Sequence, residues 1–214
     1  MYKDATEIFF RNNTFVVPPR TCKFWAHDGD NGWISGQGYM RVDDTGWYPA
    51  SFLKFLSLFP DSTRHLLRSI QLVMPRRFRY GYLAQGSNGH ADWLATIDFI
   101  ATAFPVSNLT LTVDFPVTFG LRPEWQLKEG ETVEQKDRRM WREYKRILEP
   151  LGRLEGLQNL FVYTGWPIGK ENFHRRAKQE QFLEKRVMGE AYDSYARGKP
   201  VVPSSRELEM FIRT

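Results

Sequence analysis

Asn108-Leu109-Thr110-Leu111-Thr112-Val113-Asp114-Phe115-Pro116 alternates apolar and polar side chains and stops at a proline. That period of two marks a β-strand with one buried face, and proline closes the run because it cannot donate to a sheet ladder. Two other segments read the same way: Arg68-Ser69-Ile70-Gln71-Leu72-Val73-Met74-Pro75 and Asn159-Leu160-Phe161-Val162-Tyr163-Thr164-Gly165-Trp166-Pro167. A helical pattern precedes the second and third runs in chain order. Strand–helix alternation at roughly 40 to 50 residues predicts a repeat-like, mainly parallel sheet. Aligning the runs pairs Ile70 with Leu109 and Leu160, and Leu72 with Leu111 and Val162, at irregular offsets of 39 and 51 residues.

Helical spacing fills the intervals. Residues 2–10 place Tyr2, Ala5, Ile8 and Phe9 on one face, with Asn12-Asn13 as the stop and Thr14–Val17 as a strand. Ala50 to Leu58 reads as helix ended by Pro60, and Ser62 as the cap of a short turn. Residues 92–104 carry Trp93, Leu94, Ile97, Ile100, Ala101 and Phe104 on one stripe. Residues 136–149 bury Met140, Trp141, Tyr144, Ile147 and Leu148, and residues 171–188 show a narrow stripe of Phe173, Ala177, Leu183 and Val187 ending at Gly189. Two stretches break the pattern. Residues 20–50 hold Trp25, Trp33 and Trp47 with the turn pairs Asp28-Gly29 and Asn31-Gly32, an irregular insertion with a small hairpin. Residues 116–135 form a polar loop.

The expected fold is α/β, with a short, repeat-like, mainly parallel sheet, helices on one side and a charged C-terminal helix. Two architectures satisfy the pattern: a curved arc of the degenerate leucine-rich-repeat kind, or a compact α/β sandwich without solenoid character. The expected division is residues 1–167 as the α/β body and 168–214 as charged helix plus extended tail.

Composition narrows the function. Aromatics reach 15%, with seven Trp and sixteen Phe, which predicts a folded chain rather than a disordered one. No apolar run has the length of a membrane span, and the start Met1-Tyr2-Lys3-Asp4-Ala5-Thr6-Glu7 has no secretory pattern. Cys22 is the sole cysteine, which rules out an intrachain disulfide and fits a reducing compartment, cytoplasm or nucleus. The formal charge is +5, but 25 acids accompany 30 bases, which reads as an ordinary solvated surface.

Ala5-Thr6-Glu7-Ile8-Phe9-Phe10-Arg11-Asn12-Asn13-Thr14-Phe15 resembles the helix–strand run of a large filamentous-fungal family in which an F-box-like N-terminal module precedes an α/β domain. Phe52–Leu56 with Leu67-Arg68-Ser69-Ile70-Gln71-Leu72, and Leu183-Glu184-Lys185-Arg186-Val187-Met188-Gly189-Glu190-Ala191-Tyr192-Asp193-Ser194, are similar to two later segments of the same family. The resemblance implies the leucine-rich-repeat-like fold and a partner-recognition role. An adaptor role in ubiquitin ligation depends on the F-box-like module, which does not precede the first helix in this sequence. The Trp-rich insertion lies outside the family pattern.

Catalytic and cofactor motifs do not assemble. Counted from Asp28, a calcium loop would need glycine where Trp33 stands and glutamate where Tyr39 stands. His27, His65, His90 and His174 show no zinc spacing, and neither a nucleophile elbow nor a phosphate-binding glycine loop occurs. Asp43-Asp44, Glu129 and Glu131 read as solvated loop charge. No cofactor is expected. The charges of residues 136–149 and 171–188, Lys136, Glu180 and Glu184 among them, read as solvated helix faces. One patch stands out: Arg76-Arg77-Phe78-Arg79-Tyr80-Gly81-Tyr82 interleaves arginines with aromatics directly after a strand. Such residues dominate protein interfaces, and they also pair phosphates and stack on unpaired bases. The expected function is a non-catalytic protein-interaction module with Trp25, Trp33, Trp47, Arg76, Arg77, Phe78, Arg79 and Tyr80 as contacts. Single-stranded nucleic-acid binding through residues 76–82 is the alternative.

Overall fold

A computed structural model describes residues 2–17, 40–41, 47–48, 52–74, 85–116, 130–167 and 170–203. Four strands form one parallel sheet: β1 (Thr14–Val17), β4 (Ser69–Val73), β5 (Thr110–Asp114) and β6 (Asn159–Tyr163), side by side in chain order. A separate antiparallel pair joins β2 (Met40–Arg41) to β3 (Trp47–Tyr48). The expected α/β class and parallel sheet are therefore present, and the expected strand at 14–17, also followed by proline in the sequence, is the fourth member.

The register differs from the sequence alignment by two residues at one strand. Ile70 lies opposite Leu111, which lies opposite Leu160, and Leu72 aligns with Val113 and Val162. Leu109 belongs instead to the end of a 3₁₀ turn (Val106–Asn108) and enters the core ahead of the strand. A slip of two preserves which face each side chain takes, so the apolar rows still point the same way.

Those rows build the core. Val17, Ile70, Leu72, Leu111, Val113, Leu160 and Val162 share one cluster with Phe52 and Leu56 of α2 (Phe52–Leu56), Trp93, Ile97 and Ile100 of α4 (Asn88–Ala103), and Met140, Tyr144 and Ile147 of α5 (Val133–Leu148). The helices that connect the parallel strands thus cover one face of the sheet, as crossovers of one hand through adjacent strands require. Phe115 and Tyr144 meet edge-on at 4.8 Å, and the Trp93 indole donates to the Ile147 carbonyl at 2.8 Å, tying α4 to α5. At the other end, Phe10 of α1 (Tyr2–Asn12) stacks on Phe15 at 5.3 Å, and Phe59 closes the group at 5.4 Å from Phe15.

Several helix starts lie earlier than apolar periodicity suggests, because caps rather than apolar residues set them. Ser87 accepts from the His90 N–H and starts α4 four residues ahead of the expected 92. Thr132 and Gln135 form a reciprocal capping box that starts α5 inside the segment expected to be loop. The short helix α3 (Asp61–Arg64) begins after Pro60 rather than at a Ser62 cap. The final helix, α6 (Phe173–Met188), ends at Gly189, whose φ of 97° suits only glycine without strain.

Two substitutions grade these contributions. Leu111→Ala, in the fully buried central strand, is expected to lower unfolding free energy by about 3 kcal/mol. Thr132→Ala is expected to cost about 1 kcal/mol. Urea unfolding followed by circular dichroism measures both.

Candidate functional site: the sealed edge and the C-terminal ends of the strands

β6 is the last strand of the sheet among the described residues, and its outward backbone groups pair with no described strand. In a parallel ladder these belong to alternate residues, here Leu160, Val162 and Thr164. Side chains satisfy them one by one. The Tyr192 hydroxyl accepts from the Leu160 N–H and donates to its C=O, both at 2.9 Å. Glu184 Oε1 accepts from Val162 N–H at 2.7 Å, and Glu180 Oε1 accepts from Thr164 N–H at 2.7 Å. Lys199 Nζ donates to the Val162 C=O at 2.6 Å, to Glu184 at 2.8 Å and to Glu180 at 3.0 Å, which uses all three of its protons. The Tyr163 hydroxyl donates to the Pro200 C=O at 2.6 Å and fastens the segment beyond α6.

This cluster is buried: Glu184 is 0% exposed and Lys199 6%. Burial opposes the charge on Lys199, but Glu180 and Glu184 outweigh it and hold its pKa above the usual lysine value. Burial pushes the Glu184 carboxyl up, and Lys199 offsets part of that shift. Burial also raises both phenols, Tyr192 to about 12 and Tyr163 further. Ser194 lies beside Glu184 and lowers its pKa, yet neither the Ser194 hydroxyl nor Glu184 Oε2 has a hydrogen-bond partner of good geometry.

The expectation that Glu180 and Glu184 belong to a solvated helix face is therefore corrected. They sit at i and i+4 in line with Ala177 and Val187, on the stripe that docks, while Phe173 and Phe182 stand largely outside it. An acidic pair inside an apolar stripe, followed at a distance by a lysine, was the available signal. Lys136 is corrected likewise. It is buried, its ammonium 4.0 Å from the centre of the Trp166 ring, and burial followed by the nearby Arg139 lowers its pKa. Beside it Asp137 accepts from the Trp166 indole and pairs with Arg175, and Arg176 donates to the Pro167 C=O at 2.6 Å.

The sheet face turned away from the helices mixes polar and apolar residues. Its rows are Thr14–Ser69–Thr110–Asn159, Val16–Gln71–Thr112–Phe161, and Val73–Asp114–Tyr163. Thr14 donates to Ser69 at 3.0 Å and Asn159 to Thr110 at 3.1 Å. Sequence alternation predicts one buried face, but Gln71, Thr112 and Asp114 are buried too.

Of the expected contact residues, Trp25, Trp33, Arg76, Arg77, Phe78, Arg79 and Tyr80 lie outside the described residues. Trp47 opens β3, and only its backbone is described. β4, which the arginine–aromatic segment follows in the sequence, ends alongside β5, where the Met74 N–H donates to the Asp114 C=O at 2.8 Å. No helix among the described residues is long and apolar enough to cross a membrane. No protein-family model matches the chain, and neither a curated protein nor a solved structure is significantly similar to it.

Two outcomes test the sealed edge. Lys199→Met leaves two carboxylates buried without their cation and is expected to destabilise the fold by about 3–5 kcal/mol, measured by urea unfolding. Lys199, Tyr163 and Tyr192 keep their protons in the folded chain at pH values where the unfolded chain releases them. The stability they contribute is complete below about pH 10 and falls as pH rises beyond it. The melting temperature of the wild type is therefore expected to drop steeply between about pH 10 and 12, and less so in Tyr192→Phe.

Proposed function

We propose that this chain is a non-catalytic protein-interaction module. The supporting observation is how it uses its buried ionisable groups. Glu180, Glu184 and Lys199 are each held on the backbone of β6 or on one another, and the half-buried Asp137 is held between Trp166 and Arg175. Groups fixed in this way brace a surface; a proton shuttle or nucleophile needs a free atom facing substrate. A braced parallel layer is a scaffold on which loops and helix faces keep fixed relative positions. The resemblance to the fungal F-box-like family points the same way, toward the partner-recognition part of an adaptor acting in the cytoplasm or nucleus.

Single-stranded nucleic-acid binding is the second reading. What favours it is that residues 76–82 follow β4 in the sequence, and parallel α/β sheets carry their ligands at the ends of their strands. Three arginines and three aromatics in seven residues suit phosphate pairing and base stacking.

Affinity purification from native cells at low and high salt, beside Arg76→Glu/Arg77→Glu/Arg79→Glu, separates the two. A defined protein partner that persists at high salt is the expected outcome. Nucleic acid that is lost at high salt and in the triple variant would replace the first reading with the second, because phosphate contacts release counterions.

A further inference from the structure

α5 and α6 lie side by side on the outside of the molecule, joined at one end by the Asp137–Arg175 pair. One turn further along, Trp141 and Phe182 meet with ring centres 5.7 Å apart, and the Lys145 ammonium lies 5.2 and 5.3 Å from the two rings. Phe182 is 50% exposed, while its neighbour Leu183 is buried.

Among the described residues the charge beside this pair in the two helices is one-sided. Within four residues of either ring stand Arg138, Arg142, Lys145, Lys178, Lys185 and Arg186, all exposed or half-exposed. The acids in the same windows are engaged elsewhere: Asp137 with Trp166 and Arg175, Glu143 with Arg146, and Glu180 and Glu184 at the sheet edge. The positive field reaches Glu134, one turn before Arg138. Its own backbone N–H and Thr132 lower its pKa first, and Arg138 and Arg175 lower it further.

We infer that the α5–α6 seam is a docking surface for an acidic segment of a protein partner that carries an apolar or aromatic anchor. The inference rests on the interaction-module reading and gives it a site. The exposed Phe182 ring, backed by the half-buried Trp141, offers the centre of an interface, and the neighbouring cations offer the rim that steers an acidic chain onto it. A nucleic acid suits the seam less well. Of its two rings only Phe182 is largely exposed, whereas single strands bind along a series of open rings on which successive bases stack.

The test uses the whole chain and fluorescence anisotropy with three labelled probes: an acidic peptide containing Phe and Leu, the same peptide with serine at those positions, and an oligothymidylate. The first peptide is expected to bind, more weakly as salt rises, and the second to bind far less. Phe182→Ala is expected to weaken binding about tenfold. Arg138→Glu/Arg142→Glu/Lys178→Glu is expected to weaken it further and flatten its salt dependence. These positions are exposed, and an unchanged melting temperature in each variant ensures that a lost signal reports the surface. Failure of the first peptide to bind, equal binding of both peptides, or wild-type binding by the variants overturns the inference, as does an oligothymidylate that binds in its place and is lost in the triple variant. Purified partners retained equally by wild type and by these variants sink the seam while leaving the module reading standing. Loss of every protein partner from the wild type sinks both.

Discussion

An end strand of a sheet exposes a row of backbone donors and acceptors, and this protein meets that constraint at β6 with side chains. A fifth strand would supply evenly spaced amides; instead Tyr192, Glu184, Glu180 and Lys199 reach the same groups from α6 and the segment after it. Because the acceptors are carboxylates, the seal brings two negative charges into the interior, and a buried lysine neutralises them. Each member depends on the rest. Without Lys199 the carboxylates are desolvated and unpaired; without the carboxylates the ammonium is. The docking of α6, its burial of Leu183 and the course of the chain through Pro200 all follow from this arrangement.

The opposite side of the sheet is organised by packing. The apolar rows of four strands present one continuous surface, and α2, α4 and α5 cover it. One edge of the molecule is therefore held by charge-assisted hydrogen bonds, which have strict geometry, and the body by hydrophobic burial, which tolerates adjustment. The two meet at Val162 and Leu160, whose side chains belong to the core and whose backbones belong to the seal.

The strands were legible because two-residue periodicity and terminal prolines are local properties, and the parallel arrangement followed from the helices between them. The register of β5 was misjudged by two because Leu109 has the right residue type and faces the right way without being in the strand. Helix starts at α4 and α5 were missed because Ser87 and Thr132 act through hydrogen bonds that apolar spacing does not record. Glu180, Glu184 and Lys136 were assigned to water because charge on a helix usually is; nothing in their local sequence shows that Lys199 will come to the first two or Trp166 to the third. The Trp-rich and arginine-rich stretches that drew attention as contacts remain readings of sequence, whereas the Trp141–Phe182 seam emerged only when two helices distant in sequence were set side by side.

The seal also has a direction in time. β6 is complete at Tyr163, while Lys199 lies 36 residues further along the chain. During synthesis from the N-terminus, the sheet and the helices over it can assemble while the last edge is still bare, and for that interval a nascent chain offers an open parallel strand to whatever lies near it. Arrival of the lysine ends the interval. Any factor that attends this protein at the ribosome has that window in which to act.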